Sequence, residues 1–208
     1  MQKTLRGALF LVGCGLTMVW FSPGAFAQDS LTPGGKIRRP FRVKIGGYFP
    51  ADGTIRRDTG NRFTSIGIAY DFFTLPALTP LIGSVYINDA SGRRDKTFGN
   101  DVIETEASIS GLGLQVRTYF LPQTENLNFF AGGGFGIYSI TVRTGRQQGA
   151  SFTEESQDST RLGGKVMAGV EWKKRFFGEL EYTFPGIVSA GGKTFDLSGL
   201  NVSIGTRF

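Results

Sequence analysis

Histidine is absent from this 208-residue chain. Ser–His and Cys–His nucleophile systems need an imidazole as the general base, so the sequence excludes both classes of enzyme. A metal site with a histidine ligand is excluded for the same reason. A mechanism built on Asp and Glu alone stays open. We predict that the protein is not an enzyme, and we assign no catalytic, cofactor-binding or metal-binding residue.

Cysteine is almost absent too, and its one occurrence, Cys14, lies in an apolar N-terminal stretch. Lys3 and Arg6 precede that stretch, which runs from Ala8 to Phe21 and is followed by an A-x-A cleavage site at Ala25–Ala27. This order is typical of a secretory signal peptide, so we predict that residues 1–27 are cleaved and that the mature protein forms no disulfide. A lipoprotein signal ending at Cys14 is the alternative. The residues after Cys14 stay apolar, however, where a lipid-anchored chain turns polar.

Long hydrophobic runs are missing after Phe21, which excludes a membrane-spanning helix in that part of the sequence. Charge is not concentrated either. The net charge of +6 falls to +4 without the signal peptide, and the basic residues are interleaved with acids, so nucleic acid is not an expected partner. The chain is instead rich in glycine, with 31 residues, and in phenylalanine, with 19. Such a composition in short segments indicates an all-β barrel or sandwich.

The last stretch, Leu197–Phe208, shows strand periodicity clearly. Its alternate residues form one mostly apolar face and one small or polar face. The apolar face consists of Ser198, Leu200, Val202, Ile204, Thr206 and Phe208. An aromatic residue at the end of such a strand is expected where the strand closes a barrel at a membrane interface.

Seven further segments upstream have the same period, and polar connections separate them. The predicted strands are Phe41–Phe49, Arg62–Phe72, Leu81–Ile87, a strand ending at Phe120, Leu127–Val142, Thr160–Trp172, Phe176–Phe184 and the last stretch. Long polar loops are predicted at Pro50–Asn61, Asn88–Thr105, Arg143–Ser159 and Pro185–Phe195. Short turns are predicted at Phe73–Pro80, Pro122–Asn126 and Lys173–Arg175. The alternation predicts an eight-stranded antiparallel transmembrane β-barrel, an up-and-down meander with both termini periplasmic. The barrel covers residues 40–208, after a polar linker at 28–39.

Aromatic residues are predicted to form two girdles around this barrel. The rim with the short turns and the chain ends receives Phe41, Phe72, Phe120, Phe129, Trp172, Phe176 and Phe208. The opposite rim receives Phe49, Phe63, Tyr86, Tyr138 and Phe184. Glycines such as those in Gly132–Gly136 are expected to leave room for bulky neighbours inside a narrow barrel.

Charged residues on the inward faces form the predicted lumen charge network. The positive members are Arg42, Lys44, Arg117, Lys165 and Arg207, and the negative members are Asp71, Glu171, Glu179 and Glu181. The lumen of an eight-stranded barrel is just wide enough for side chains to fill it, so these charges must pair or be hydrated. The turn Lys173–Arg175 sets a register that places Lys165 diagonally from Glu181. A structural plug and a narrow hydrated path are both compatible with this network.

These features together resemble the small OmpA/OmpX-type outer-membrane barrels of Gram-negative bacteria. The resemblance is carried by G-G-G-F-G-I-Y at 132–138, E-L-E-Y at 179–182 and the ending G-L-N-V-S-I-G-T-R-F. It implies a location in the cell outer membrane and an assembly signal, with Phe208, Ile204 and Val202 read by the barrel assembly machinery. Thr206 departs from the pattern, because a larger residue is common at that position.

The function predicted from the sequence is a non-enzymatic role in envelope structure or in surface interaction through the extracellular loops. A narrow channel for ions or small solutes is the alternative. The expected partners are outer-membrane lipid and lipopolysaccharide, and no cofactor is expected. Paired basic residues in the loops Thr54–Asp58 and Ser91–Lys96 are candidates for contact with lipopolysaccharide phosphates. The sequence names no ligand of the loops.

Overall fold

The computed structural model of the protein describes residues 37, 39–75, 81–98, 101–120, 126–148, 151–190 and 193–208. The predicted signal peptide, residues 1–27, lies outside the described residues, as do most of the linker and parts of the turns Phe73–Pro80 and Pro122–Asn126. Within the described part of the chain, no helix is long and apolar enough to cross a membrane.

Ten strands and one short helix make up the described structure. They are β1 (Phe41–Pro50), α1 (Gly53–Thr59), β2 (Phe63–Leu75), β3 (Leu81–Phe98), β4 (Asp101–Tyr119), β5 (Leu127–Gln148), β6 (Ser151–Trp172), β7 (Phe176–Phe184), β8 (Ile187–Ala190), β9 (Lys193–Asp196) and β10 (Gly199–Arg207). Eight of the strands form a closed barrel in the order β1-β10-β7-β6-β5-β4-β3-β2, and β8 pairs with β9 apart from it. The predicted all-β, eight-stranded antiparallel meander is confirmed.

The barrel closes where the last strand meets the first. β10 pairs with β1 from Arg42↔Arg207 to Pro50↔Gly199, and the backbones of Phe41 and Phe208 exchange two hydrogen bonds of 2.9 and 3.3 Å. Both ends of the barrel sequence therefore lie at one end, which we call the turn rim. The opposite end, with α1 and the β8–β9 hairpin, is the loop rim.

The turn between β6 and β7 has the predicted geometry. Lys173 and Lys174 adopt positive φ angles of 51° and 52°, which allow the chain to reverse within Lys173–Arg175. Trp172 consequently pairs with Phe176, and the ladder continues to Lys165↔Thr183. The register expected from the turn length is confirmed.

Alternate side chains of each strand point away from the lumen, and most of those in the apolar band are large hydrophobic residues. On β10, Val202 and Ile204 point outward, and on β4 Leu112 and Leu114 do so. All seven aromatics assigned to the turn rim face outward, with 46–58% of their surface exposed. This part of the girdle prediction is confirmed.

The second predicted girdle is wrong for three of its five members. Phe49 and Phe184 face outward, but Phe63, Tyr86 and Tyr138 are buried inside the barrel. Their position along each strand has the parity of the lumen face: Phe63, for example, alternates with the outward Thr64 and lies on the face of Ser65. Aromatic character indicated the height of these residues along the barrel, whereas the pleat decided which face they occupy.

The long loops predicted at Asn88–Thr105 and Arg143–Ser159 are largely strand. β3 and β4 stay paired to Phe98↔Asp101, and β5 and β6 stay paired to Gln148↔Ser151. These extensions could not be predicted from hydrophobic alternation, because both faces of the strands are largely polar beyond the apolar band.

The other two predicted loops also contain regular structure. Pro50–Asn61 includes α1, which begins where the Asp52 side chain accepts a hydrogen bond of 2.6 Å from the backbone N–H of Thr54. Pro185–Phe195 includes most of the β8–β9 hairpin. The short length of these elements left no periodic signal to read.

Inward glycines accommodate lumen aromatics, as the sequence predicted. A Cβ on Gly205 would collide with the ring of Phe177 and with the backbone carbonyl of Val43. We therefore expect Gly205→Ala to destabilise the barrel by roughly 1–3 kcal/mol, the usual cost of overpacking. Urea unfolding in detergent micelles measures this change. Gly178→Ala is the matched control on the outward face, where a Cβ meets only Val170 at 3.9 Å. Equal losses in the two variants would contradict the packing argument.

Candidate functional site: the barrel lumen

Asp71 on β2 is the centre of the charge cluster nearest the turn rim. Its carboxylate accepts hydrogen bonds from both Nη atoms of Arg117, at 3.0 and 2.5 Å, and from Nη2 of Arg207 at 3.0 Å. The hydroxyl of Ser84 donates to the same carboxylate at 2.6 Å. Two guanidinium groups thus share one buried carboxylate, and a second acid is needed to balance them.

Glu171 on β6 supplies that second acid. Its Oε2 accepts from Nη1 of Arg207 at 2.9 Å and from the hydroxyl of Tyr119 at 2.7 Å. Arg207 therefore bridges Asp71 and Glu171 across the lumen. Because the four charged residues of this cluster come from four strands, it joins β2, β4, β6 and β10 by contacts that the strand ladders do not make.

A second cluster surrounds the two glutamates of β7. Glu179 accepts from Arg42 at 2.8 Å and from Lys44 at 2.7 Å. Glu181 accepts from Lys44 at 2.9 Å and from Lys165 at 2.8 Å. Lys44 thus links the two carboxylates, and the diagonal Lys165–Glu181 contact expected from the β6–β7 register is present in the structure.

The structure brings all nine residues of the lumen charge network into these two clusters. Each is between 1 and 9% exposed, and each forms at least one ion pair with another member. Five cations face four anions, so the described network is nearly balanced. Buried ions are tolerated when they are paired, and every member of this network has a partner of opposite charge.

The predicted charge network did not include three tyrosines that contact its members or one another. The Tyr86 ring lies 3.4 Å from Nζ of Lys165, a cation–π contact, and the Tyr86 hydroxyl lies 2.8 Å from that of Tyr138. Tyr119 donates to Glu171. The alternation of the strand predicts the inward position of Tyr119, which follows the inward Arg117 by two positions, but not its contact with Glu171.

Apolar clusters lie on both sides of the charge network. The outer cluster, at the loop rim, contains Tyr48, Ile55, Phe63, Ala90, Ala107, Ile109, Tyr138, Ile140 and Leu197. The inner cluster, at the turn rim, contains Ile82, Tyr119, Phe130 and Phe177, with Ile37 packed against it. Ile55 comes from α1 and Leu197 from the segment after β9. These two segments therefore cover the end of the lumen at the loop rim. Tyr48 fixes this closure by donating a hydrogen bond to the backbone carbonyl of Leu197.

Two cavities in the described part of the lumen are small. One cavity beside Arg42, Lys44 and Glu179 has a volume of about 10 Å³, and another beside Tyr48, Tyr138 and Glu181 has about 20 Å³. A single water molecule needs a cavity of about 10–15 Å³, so each of the two has room for about one water.

The structure places the predicted assembly residues on the lipid-facing side. Val202, Ile204 and Phe208 point outward from the last strand and are exposed. Among the described residues, no group of three His, Cys, Asp or Glu side chains is arranged to hold a metal ion. The lumen acids instead contact arginine, lysine, serine and tyrosine, an arrangement suited to holding strands together.

A closed antiparallel barrel with an apolar exterior, an aromatic turn rim and a polar interior is a transmembrane β-barrel. Solved structures were compared with the barrel fold. The chain is similar in structure to Neisserial surface protein A (NspA), with a TM-score of 0.56, 13% sequence identity, and coverage of 80% of this chain and 94% of NspA. A looser match is Ail, the attachment invasion locus protein of Yersinia pestis, solved in complex with the heparin analogue sucrose octasulfate. Its TM-score is 0.48 and its identity 14%, covering 82% of this chain and 99% of Ail.

The likeness to NspA, at this level of identity, concerns the fold. No protein-family model matches the chain, and no curated protein matches it in sequence.

Proposed function

We propose that this protein is an outer-membrane barrel with a non-enzymatic role, in which a closed lumen serves envelope structure and the loop rim serves surface interaction. The observation that carries the proposal is the layered lumen, with buried ion pairs between two apolar clusters. The proposal includes export by cleavage after Ala27, which leaves the linker 28–39 and the barrel 40–208.

The layered lumen favours a plug over a channel for an energetic reason. An ion crossing it would have to separate buried pairs such as Arg117–Asp71, and breaking a buried pair costs about 3–5 kcal/mol. The ion would also have to lose its water at the outer and inner apolar clusters. Cavities the size of one water do not offset these costs.

The extended strands at the loop rim support the surface-interaction part. Beyond the outward Ile137, β5 continues to Gln148, which is roughly 35 Å of strand. β6 pairs with β7 only from Gly164 onward, so Ser151–Gly163 pairs with β5 and has no ladder to β7 among the described residues. We call this raised sheet, β3–β6 beyond the apolar band, the arm. A strand edge of this kind offers backbone groups to a partner.

Planar-bilayer recording tests the closed lumen. We expect no stable conductance steps from the wild-type barrel. The variant Phe63→Ala/Phe130→Ala removes one ring from each apolar cluster, so it should show more frequent openings. The matched control Phe129→Ala/Phe135→Ala removes two outward rings and should stay silent. Stable conductance in the wild type would reject the plug and support the narrow channel instead.

Phe208, Ile204 and Val202 are proposed as the signal read by the barrel assembly machinery. Phe208→Ala should lower the folded amount in the outer membrane several-fold, because it removes the aromatic from the closing strand at the turn rim. Heat-modifiable mobility on gels of cell envelopes measures the folded amount. Phe152→Ala is the matched control, since Phe152 is similarly exposed, at 63% against 58%, but lies on the arm. Equal folded yields of the two variants would argue against the proposed signal.

A further inference from the structure

Two basic segments that are distant in the sequence meet at the loop rim. α1 carries Arg56 and Arg57, and the upper part of β3 carries Arg94, all exposed. Nη1 of Arg94 donates to the backbone carbonyl of Arg57 at 3.3 Å, across 37 positions of sequence. An open cavity of about 450 Å³ lies between the segments and is lined by Phe49, Gly53, Arg56, Arg57, Asn61 and Arg94.

The first nearby acid, Asp58, has cationic partners of its own. Its Oδ1 accepts from Nζ of Lys96 at 2.8 Å and lies 3.7 Å from Nε of Arg57. Arg56 and Arg94 form no ion pair with any described residue. The cavity lining itself contains three arginines and no acid, so it carries a local excess of positive charge.

The second nearby acid, Asp52, is held by backbone groups at the start of α1. Its carboxylate accepts from the N–H of Thr54 at 2.6 Å and from the N–H of Asp196 at 3.1 Å. Burial alone would raise the pKa of Asp52, but these backbone hydrogen bonds outweigh it and lower the pKa. Asp52 therefore stays ionised at neutral pH and positions α1, whose next turn presents Arg56 and Arg57.

The cavity adjoins the boundary of the apolar band. Phe49 is the last outward aromatic of β1 and pairs with the outward Leu200 of β10. The chain then leaves the barrel at Pro50 and enters α1. The three guanidinium groups consequently lie beside the height at which lipid-facing side chains give way to polar ones, where lipid headgroups are located.

We propose that Arg56, Arg57 and Arg94 bind the phosphate of a phosphorylated glycolipid in the leaflet around the loop rim, with an acyl chain against Phe49. The planar guanidinium fork binds phosphate oxygens in pairs, and its charge strengthens each hydrogen bond. Phe49 at the cavity edge favours a lipid over a free anion, because it offers apolar contact next to the charged groups. This inference rests on the proposed outer-membrane location.

The test uses the full mature barrel in phosphatidylcholine nanodiscs that contain increasing fractions of diphosphoryl lipid A. Native mass spectrometry after extraction into a nonionic detergent counts the barrels that retain lipid A. We expect Arg56→Gln/Arg57→Gln/Arg94→Gln to raise the half-saturating lipid A fraction by about tenfold or more, as three charge-assisted contacts are lost. The matched control Arg93→Gln/Arg143→Gln/Arg161→Gln removes three charges from the arm. It should change the half-saturating lipid A fraction by less than about twofold. Heat-modifiable mobility verifies that both variants are folded.

Three results would overturn the assignment. Equal shifts in the two triple variants would show attraction by net charge alone. An unchanged titration of the first variant would remove these arginines from the site. Displacement of lipid A by millimolar inorganic phosphate would indicate a free-anion site, whereas the proposal expects retention. The proposal of a closed lumen is tested separately. Conductance of the wild-type barrel would reject the plug but would not change the result of the lipid A titration.

Discussion

Replacing Asp71 by asparagine will destabilise the barrel by roughly 3–5 kcal/mol, the cost of leaving buried charge without its partner. Arg117 and Arg207 are almost fully buried and share the Asp71 carboxylate. In Asp71→Asn, Arg207 keeps the Glu171 carboxylate, which also accepts from Tyr119, whereas Arg117 has no second carboxylate within ion-pair distance among the described residues. Asparagine keeps the shape of the side chain, so the loss reports charge and hydrogen bonding rather than a cavity. Urea unfolding of the barrel in detergent micelles measures it.

Two further variants make this result specific. Asp95→Asn removes a carboxylate that is 56% exposed and lies 3.4 Å from Arg93, and it should cost less than about 1 kcal/mol. Adding Arg117→Met to Asp71→Asn removes one of the orphaned cations, so the double variant should lose less than the sum of the single losses. A loss for Asp71→Asn no larger than that of Asp95→Asn would show that the lumen cluster does not stabilise the fold.

Glu181→Gln should destabilise the barrel by roughly 3 kcal/mol, and Lys165→Met by less. The asymmetry follows from the remaining partners. Without its Glu181 carboxylate, Lys165 keeps only the Tyr86 ring as a close partner among the contacts described above. Without Lys165, Glu181 still accepts from Lys44 at 2.9 Å and from Asn88 at 3.1 Å. The same urea unfolding experiment orders the two variants.

The double variant Lys165→Met/Glu181→Gln completes the cycle. It leaves neither a lone carboxylate nor a lone ammonium at this position, so its loss should fall below the sum of the single losses. Additive losses would mean that the 2.8 Å contact contributes no coupling energy. Because Lys44 and Arg42 also bind Glu179, the second cluster should keep most of its cohesion in every member of the cycle.

Much of the barrel could be predicted because its main signal is local. Outward and inward residues alternate on a pleated strand, so Leu200, Val202 and Ile204 identify the lipid face without knowledge of any neighbour. The β6–β7 register followed from the length of one turn, Lys173–Arg175. The inward positions of the nine lumen charges came from the same parity.

The structure of the loop rim could not be predicted from local alternation. The polar extensions of β3–β6 show little alternation, because neither face meets lipid above the apolar band. α1 and the β8–β9 hairpin are too short to display a period. Ile55 looks like an isolated apolar residue in a polar segment, and Leu197 was assigned to the last strand, which begins at Gly199 in the structure. The packing of both residues with Tyr48 and Phe63 requires the chain to fold back across the barrel mouth.

The sequence by itself determined the number of barrel strands, their faces, and the chemistry of the lumen lining, since the hydrophobic period depends on residues close along the chain. The tertiary structure decided which charges pair beyond the β6–β7 hairpin, how the lumen is closed and where the basic segments meet. Arg42 and Glu179, for example, are 137 positions apart and come together only because β10 closes the ring between β1 and β7. Contacts across a barrel depend on the order and stagger of all its strands, and no local pattern carries that information.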